Sequence, residues 1–399
     1  MGVIPWRFKS SLAHMRSFFR FLRARRFSYK PLVQVEISRD ALKHNLEYFL
    51  KLSEVKSQNG SSNYLRGIAP VLKANAYGHG LVEVARIVDG LHGVRFLVVD
   101  SYYEALRLRN ENIISPILVI GYTITENILE NSMSNVAFCV SSISQLRALS
   151  NTIIPTTFHL KFDIGMHRQG IMPNELYEVI DIVHKHPQMQ VTGICSHLSD
   201  SDGEEDIHTK RQIAIWNDIS KKWRNTFPNT EFFHLSATAG IRYLQHIDAN
   251  VSRLGIGLYG ISDDISGLIP VLSMKTIVTA VRTVHIGETV GYNNTWTATR
   301  ETIVATIPVG YYEGIDRRLS NSGFVRIGGI ECQIIGRVSM NMMTVDATEV
   351  PNVKEGDIVE VISSIDQAPN SIKNIARICD TIPYDILVHI PTSLKRVVV

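Results

Sequence analysis

The chain has 399 residues, of which 45% are hydrophobic and 20% charged, a composition typical of a globular protein with enough core for two domains. No apolar run approaches the ~18 residues of a membrane-spanning helix, so none is expected. The cysteines lie far apart and lack C-x-x-C spacing, so we expect reduced, structural thiols, and neither a disulfide framework nor a zinc site is indicated. No metal site is expected. These cysteines are Cys139, Cys195, Cys332 and Cys379.

The net charge of +3 is distributed unevenly. Residues 1–30 carry eight lysines and arginines, and no acidic residue precedes Glu36; removing those eight charges from +3 leaves the rest of the chain at −5. Aromatic residues alternate with these positive charges, as in a basic amphipathic helix that contacts an anionic membrane or in a transit peptide. A basic extension with no dedicated partner is the interpretation we favour. We expect no nucleic-acid partner and a cytoplasmic protein.

Short apolar runs alternate with longer amphipathic stretches between about residues 33 and 270, which is typical of repeated β-α units. The predicted strands are 69–73, 96–100, 117–121, 136–140, 157–162, 191–197, 232–235 and 252–258. Helix-start signals follow two of them, at Ser101 with Glu104 and at Ser142 or Ser144. Eight such units predict a (β/α)8 barrel. A doubly wound open sheet is the alternative, but no early strand is followed by G-x-G-x-x-G.

The pattern changes after about residue 273. Short β-rich runs are separated by turn signals, with no helical stretch before about residue 371. The runs are 278–281, 302–307, 324–327, 333–335, 342–345 and 358–362. This pattern predicts a separate, mostly β C-terminal domain. The expected divisions are a basic extension over 1–32, a barrel over 33–273 and a β-domain over 274–399.

The stretch Val71–Gly80, V-L-K-A-N-A-Y-G-H-G, places Lys73 at the end of a buried strand and before a tight turn. A buried amine is costly unless it is paired or reacts, and a deprotonated lysine can form a Schiff base with a carbonyl cofactor. Tyr77 is placed to reach a neighbouring anion. The alternative is a lysine whose stem packs at the strand end while its amine stays in water.

Polar groups collect at the ends of the later strands, where barrels place their functional residues. Ser236, in L-S-A-T-A-G, offers a hydroxyl and backbone amides at a helix start. The run R-L-G-I-G-L-Y-G, from Arg253, lets further amides approach the same anion. A phosphate clamp opposite a reactive lysine suits a phosphorylated aldehyde, with pyridoxal 5′-phosphate the candidate.

Six motifs carry a resemblance to a known family. They are K-A-N-A-Y-G-H-G, R-L-G-I-G-L-Y-G, V-G-Y-N-N-T-W, I-P-V-G-Y-Y-E-G, G-R-V-S-M and T-I-P-Y-D. Their order over residues 33–399 resembles that of alanine racemases, pyridoxal-phosphate enzymes with a barrel and a C-terminal β-domain. The resemblance implies a homodimer that interconverts L- and D-alanine by a two-base mechanism and supplies D-alanine for peptidoglycan.

The resemblance also implies roles for individual residues. Lys73 matches the Schiff-base lysine, and Tyr292 the catalytic tyrosine that reaches into the partner subunit's site. Arg168 and Met340 match substrate-carboxylate residues, and Lys161 a lysine that is carbamylated in many members. The expected cofactor-binding residues are Lys73, Tyr77, His197, Ser236, Arg253, Gly255, Ile256 and Tyr384.

Some positions depart from the family pattern. Asn341 stands where alanine racemases usually have aspartate, which leaves a broader specificity for alanine and serine open. Trp296 and Leu235 also differ from the residues common in the family. A pyridoxal-phosphate-binding protein without turnover is the alternative from another class, but such carriers usually lack the β-domain. Decarboxylases that share the barrel are a third reading, disfavoured because their C-terminal cysteine-aspartate motif is missing.

Overall fold

A computed structural model describes residues 30–53, 67–150, 156–201, 203 and 207–399. Within them, parallel strands β2 to β9 form the barrel predicted from the sequence. Their bounds are β2 Ile68–Pro70, β3 Leu97–Val99, β4 Ile117–Val119, β5 Val136–Val140, β6 Thr156–Lys161, β7 Met189–Cys195, β8 Phe232–His234 and β9 Ser252–Leu254. The basic extension over residues 1–29 lies outside the described part of the chain.

The strands close on themselves in sequence order. Strands β3 to β8 pair consecutively, and β9 pairs with β2. Isolated parallel β-bridges join Ile68 to Val94 and Val71 to Val98, and so connect the region of β2 to that of β3. The amide of Arg253 on β9 donates to the carbonyl oxygen of Ser236, just after β8. These links complete the barrel and bring the carboxyl ends of all its strands to one mouth.

Helices pack around the barrel because each has an apolar face turned toward the strands. Their bounds are α1 Arg39–Ser53, α2 Leu81–Val88, α3 Tyr102–Asn110, α4 Thr125–Leu129, α5 Ile143–Ser150, α6 Leu176–Lys185 and α7 Ile207–Thr226. The helix start predicted at Ser101 is confirmed, since its hydroxyl accepts from the Glu104 amide and the Glu104 carboxylate reaches back. Ser142 likewise accepts from the Gln145 amide at the start of α5. Local capping therefore fixes where these helices begin.

A nine-stranded, mostly antiparallel sheet forms the second domain, in the order β11-β14-β17-β16-β15-β18-β10-β1-β19. Its strands are β1 Gln34–Ile37, β10 Leu272–Ile277, β11 Ala280–Val284, β14 Thr302–Ile307, β15 Phe324–Ile327, β16 Ile330–Ile335, β17 Met343–Asp346, β18 Ile358–Ile362 and β19 Lys395–Val398. A small hairpin, β12 Thr289–Val290 and β13 Trp296–Thr297, accompanies it. Helices α8 Ile372–Ile378 and α9 Pro383–Val388 precede the last strand.

The first strand joins this second sheet rather than the barrel. β1 pairs antiparallel with β10 and parallel with β19, so residues from both ends of the chain lie side by side. Sequence periodicity carries no information on such long-range pairing. The divisions at residues 33 and 274 stay a prediction.

Most predicted strands agree with the structure to within a few residues, but the run 252–258 was too long. The strand ends at Leu254, because Gly255 turns the chain into a short 3-10 segment over Ile256–Tyr259. In the part of the chain that the structure describes, no helix is long and apolar enough to cross a membrane. The four cysteines are buried free thiols.

Candidate active site at the barrel mouth

Lys73 begins a left-handed turn directly after the first barrel strand. Ala74, Asn75, Ala76 and Tyr77 have φ angles of 54°, 56°, 53° and 52°, a conformation that costs roughly 1–2 kcal/mol per residue without glycine. Asn75 helps to hold the turn, since its carbonyl accepts from the Gly80 amide and its side chain from the Leu81 amide. Such stored strain is common at functional sites, and here it follows the predicted reactive lysine.

His79 supports the same turn from within. Its Nδ1 atom contacts the carbonyl oxygens of Ala76 and Tyr77 at 3.1 and 2.9 Å. Its ring lies 4.3 Å from that of Tyr259, whose hydroxyl donates to the Val71 carbonyl. Burial lowers the pKa of His79 to about 4, so the imidazole is neutral and Nδ1 can donate to both carbonyls.

Arg253 is almost entirely buried, at 4% exposure, and is held by carbonyls and imidazoles. One terminal nitrogen donates to His234 Nδ1 at 2.7 Å and to the His234 carbonyl at 2.8 Å. The other donates to the Ser196 and Leu235 carbonyls at 2.6 and 3.0 Å and to His197 Nδ1 at 3.1 Å. The guanidinium is therefore fixed in one plane at the strand ends.

These contacts determine the protonation of the histidines. Arginine only donates, so the Nδ1 atoms of His197 and His234 must be acceptors and their protons lie on Nε2. His234 Nε2 can then donate to His159 Nδ1, 2.8 Å away. Burial and then the charge of Arg253 lower the pKa of both His197 and His159 to about 3. Neutral imidazoles thus surround a permanent positive charge.

Of the three histidines in this cluster, only His197 is predicted from the sequence, whereas His234 and His159 are found only in the structure. Both lie on barrel strands, and their rings meet inside the barrel. His159 is two residues before Lys161, which ends β6, and His234 is two residues before Ser236. The period-two alternation of strands, combined with the need of a buried arginine for acceptors, was the signal that could have found them.

Tyr77 and Gly255 form a narrow cradle beside this cluster. A Cβ atom on Gly255 would lie 2.8 Å from the Tyr77 hydroxyl oxygen and 4.0 Å from Thr238 Oγ1. Only glycine leaves this space open. Burial raises the pKa of Tyr77, so its hydroxyl stays a proton donor. The ring of Tyr384, at the start of α9, lies 5.8 Å from the ring of Tyr77.

Ser236, a predicted cofactor-binding residue, is fully buried just after β8, and its role at the cofactor stays a prediction. Its hydroxyl is hydrogen-bonded to Ser252 Oγ and to the Ala237 carbonyl within the barrel wall. Thr238 is the hydroxyl at the cradle, where its Oγ1 accepts from the Gly257 amide at 3.2 Å. Both residues lie beyond β8, which ends at His234, and Thr238 directly precedes a 3-10 segment over Ala239–His246.

Lys161 and Arg168 flank one side of the mouth. Lys161 is buried, and its ammonium lies 3.5 Å from Gln169 Oε1. The carboxylate of Asp163 accepts from the amides of Gly165, His167 and Arg168. Burial acts to raise the pKa of Asp163, but these donors keep it below its ordinary value. The loop that carries Arg168 is thus fixed, while the Arg168 side chain itself is exposed.

The remaining predicted residues lie on the second domain and are open to solvent. Tyr292 is 69% exposed and Met340 55% exposed. The Met340 carbonyl accepts from the Tyr312 amide, which ties two loops together. Asn341 donates to Glu313 Oε1 at 2.8 Å, and the other oxygen of Glu313 accepts from the Gly310 amide. The structure brings the barrel residues together, but it leaves Tyr292 and Met340 on a separate, exposed surface.

The fold is a barrel with an appended β-domain. At the mouth of the barrel, the turn that begins at Lys73 lies near the Tyr77–Gly255 cradle. Together these features define a class of barrel enzymes that use a lysine at the barrel mouth. The comparisons with known proteins are specific within that class. The family model "Alanine racemase, N-terminal domain" matches residues 37–263, and "Alanine racemase, C-terminal domain" matches residues 271–398. The chain belongs to the alanine racemase family.

Individual relatives agree with this assignment. An alanine racemase of Sorangium cellulosum is 32% identical over 342 residues, covering 82% of this chain and 90% of that protein. One of Fusobacterium nucleatum is 32% identical over 370 residues, covering 92% and 99%. The solved alanine racemase of Clostridium difficile superposes with a TM-score of 0.83 at 27% identity, covering 93% and 97%. That of Bacillus anthracis with bound L-Ala-P gives 0.81 at 27% identity, covering 93% and 96%.

Proposed function

We propose that this protein is an alanine racemase that interconverts L- and D-alanine with pyridoxal 5′-phosphate as its cofactor. The observation that carries the proposal is the convergence at one barrel mouth of Lys73, the Tyr77–Gly255 cradle and the buried Arg253. Family membership narrows the chemistry of that mouth to an isomerase. The protein is not a carrier on this reading, because it retains the β-domain that bears Tyr292.

The cradle fits a phosphate group. Tyr77 and Thr238 offer hydroxyls, and the space that a Cβ at Gly255 would fill leaves the neighbouring backbone, including Ile256, approachable. Lys73 would hold the carbonyl end of the cofactor and Arg253 would face its ring nitrogen. When bound, pyridoxal phosphate withdraws electron density from the substrate Cα and so makes its proton acidic.

The environment of Arg253 bears on which reaction follows. Its charge is permanent, and the neutral His197 and His234 have no proton to lend on the side that faces it. An arginine held in this way discourages protonation of a ring nitrogen opposite it. This arrangement limits electron withdrawal to what proton removal needs and disfavours side reactions such as transamination.

Two acid-base groups on opposite faces of Cα suffice for racemisation. We assign these roles to Lys73 Nζ on one face and to Tyr292 Oη on the other. Arg168 would support the phenol and hold the substrate carboxylate, together with the backbone amide of Met340. On the carried-over assignment, lysine serves the D-enantiomer and tyrosine the L-enantiomer.

The exposure of Tyr292 supports a homodimer in which each site is shared. A catalytic phenol that is 69% exposed on its own chain needs an enclosed site elsewhere. A two-fold exchange, with each β-domain at the barrel mouth of its partner, supplies both Tyr292 and Met340. The exposed Tyr311 and Tyr312 lie on the same loop pair as Met340, as expected of a surface that becomes buried on assembly.

We also propose that Lys161 is carbamylated. Its nitrogen is buried beside a neutral amide oxygen, and a carbamate there would place a negative charge near Arg168. The division into 1–32, 33–273 and 274–399, a cytoplasmic location and supply of D-alanine for peptidoglycan complete the proposal. Membrane contact by the basic N-terminus stays an open prediction.

Chiral analysis tests the function directly. Purified protein loaded with pyridoxal phosphate should convert L-alanine to a mixture of both enantiomers in about equal amounts. L-serine should be included, because Asn341 is neutral and hydrogen-bonded to Glu313, an arrangement that favours a broader specificity. Cofactor binding without turnover of any amino acid would instead support a non-catalytic binding protein.

A further inference from the structure

The left-handed turn after Lys73 is held from outside by the C-terminal segment. Four consecutive non-glycine residues with positive φ would relax to ordinary backbone unless neighbouring structure opposed it. The contacts within the turn come from Asn75 and His79, as described above. The contacts from beyond it come from Glu104, whose carboxylate accepts from the Asn75 amide at 3.5 Å, and from residues 387–396, more than 300 positions later in the chain.

Arg396, on the last strand, provides most of these outer contacts. Its Nε and one terminal nitrogen donate to the carbonyl oxygen of Gly78 at 3.2 and 2.8 Å. The same guanidinium also donates to the carbonyls of Ile390, Pro391 and Leu394. One side chain therefore joins the end of the lysine turn to the segment that follows α9.

The backbone packs closely at the same point. Gly78 has φ +80°, and a Cβ there would lie 2.0 Å from the carbonyl oxygen of Leu387 on α9. Helix α9 also carries Tyr384, whose ring faces that of Tyr77. The turn that ends in Gly78 thus lies directly against the helix that supplies a predicted cofactor residue.

Arg396 makes no ion pair with any residue that the structure describes. All its hydrogen bonds go to carbonyl oxygens, and no carboxylate lies within 4.0 Å of it among the residues that the structure describes. Burial lowers its pKa, which the charge of Glu83 partly offsets. The planar guanidinium of Arg396 therefore acts as a hydrogen-bond donor that reaches several carbonyl oxygens at once, rather than as a surface charge.

We propose that Arg396 is a positioning residue of the reaction, which fixes the Lys73 turn by clamping Gly78 to the C-terminal segment. The C-terminal strand is in this way part of the cofactor site, although none of its residues is expected to touch the cofactor. Only the kinetic consequence depends on the proposed function. The effect on cofactor binding at Lys73 does not.

The test compares Arg396→Gln and Arg396→Lys with the control Lys395→Gln, an exposed neighbour on the same strand. Loaded and folded Arg396→Gln should lose about ten- to a hundredfold in kcat, because small displacements of a catalytic group are costly. KM for alanine should change by less than about threefold, since Arg168 and Met340 are untouched. Arg396→Lys should fall between, because one ammonium cannot replace the fork. Lys395→Gln should behave as the wild type.

Two readouts do not depend on turnover. Titration of the apo-protein with pyridoxal phosphate should give a dissociation constant raised about tenfold in Arg396→Gln. Borohydride trapping followed by peptide mapping should show slower fixation of the cofactor on Lys73. If the wild type binds the cofactor at Lys73 but racemises nothing, the proposed function fails, while these readouts still decide the role of Arg396.

A purely structural role predicts a different outcome. The unfolding temperature would fall, but the loaded variants would keep wild-type kcat, cofactor affinity and trapping rate when measured well below that temperature. That result would overturn the proposal. If Arg396→Gln does not fold, Arg396→Lys decides between the two by the same measurements.

Discussion

The two halves of the candidate site differ in how far one chain completes them. At the barrel mouth, Arg253 and Tyr77 are buried, and Arg253 has acceptors for both terminal nitrogens. On the β-domain, Tyr292 and Met340 are exposed on loops. The first half is buried and hydrogen-bonded within one chain, whereas the second is exposed on that chain and is the surface that the proposed dimer would cover.

This difference separates two physical requirements. A cofactor needs fixed charges and hydrogen-bond donors, which a packed barrel provides because every buried polar group must find a partner. The proposed catalytic phenol of Tyr292 lies outside that core, and in the proposed dimer an interface between copies would supply it without disturbing the barrel. The experiments below test this separation, from the largest expected effect to the smallest.

Mixing two inactive variants tests whether the halves come from different chains. Lys73→Ala and Tyr292→Phe should each lose more than about a thousandfold in activity, because each removes one acid-base group. After subunit exchange, half of the dimers are hybrids with one intact site, so an equal mixture should regain about a quarter of wild-type activity. No recovery despite demonstrated exchange would mean that each site is built within one chain.

Solvent deuterium exchange tests the two faces of Cα. In Tyr292→Phe, incorporation from L-alanine should fall by about a hundredfold or more, because the phenol removes that proton. Incorporation into D-alanine should be largely retained, since Lys73 can still remove and return its proton. Equal loss with both enantiomers would contradict the two-base scheme and favour one base that serves both faces.

A matched pair of hydroxyl deletions tests which hydroxyl, that of Thr238 or that of Ser236, contributes to cofactor binding at the anion cradle. Thr238→Val should raise the dissociation constant of pyridoxal phosphate about tenfold, equivalent to ~1.4 kcal/mol, because it removes a donor at the cradle. Ser236→Ala should leave that constant unchanged, while the free energy of unfolding falls by about 1 kcal/mol through the loss of its bond to Ser252. The reverse pattern would assign the cofactor-binding hydroxyl to Ser236, as the sequence predicts.

The pH dependence of the free energy of unfolding tests whether the barrel half of the site keeps His79 buried and neutral. His79 has a folded pKa of about 4, below the value near 6.5 of an unfolded histidine. Between these values the unfolded chain binds more protons, so the free energy of unfolding should fall as pH decreases from about 6.5 to 4. His79→Asn should reduce this slope by up to about 1.4 kcal/mol per pH unit.

Denaturant unfolding at a series of pH values measures that slope. The control is His208→Asn, since His208 is exposed on α7 and its removal should leave the slope unchanged. A slope in His79→Asn equal to that of the wild type would show that His79 is accessible to protons in the folded protein.

Much of this protein can be predicted from local sequence. The barrel strands lie where short apolar runs end in polar residues, and the start of α3 lies at the Ser101–Glu104 capping box. Period-two and period-3.6 patterns are consequences of which side chains face the core, so they are visible in any one segment. Lys73, Tyr77 and Arg253 could be found in this way because each stands at a strand end or beside a glycine-rich turn.

Other features depended on which distant segments meet. Nothing in Gln34–Ile37 indicates that it pairs between β10 and β19, and nothing around Arg396 indicates that it reaches Gly78. The contact between Thr238 and Gly257 also required the path of the chain beyond the strand end. The sequence alone determined the elements and the reactive residue types, because these follow from local periodicity and chemistry. Only the tertiary structure decided which buried donors face which acceptors, because that pairing is set by the packing of segments that lie far apart in the chain.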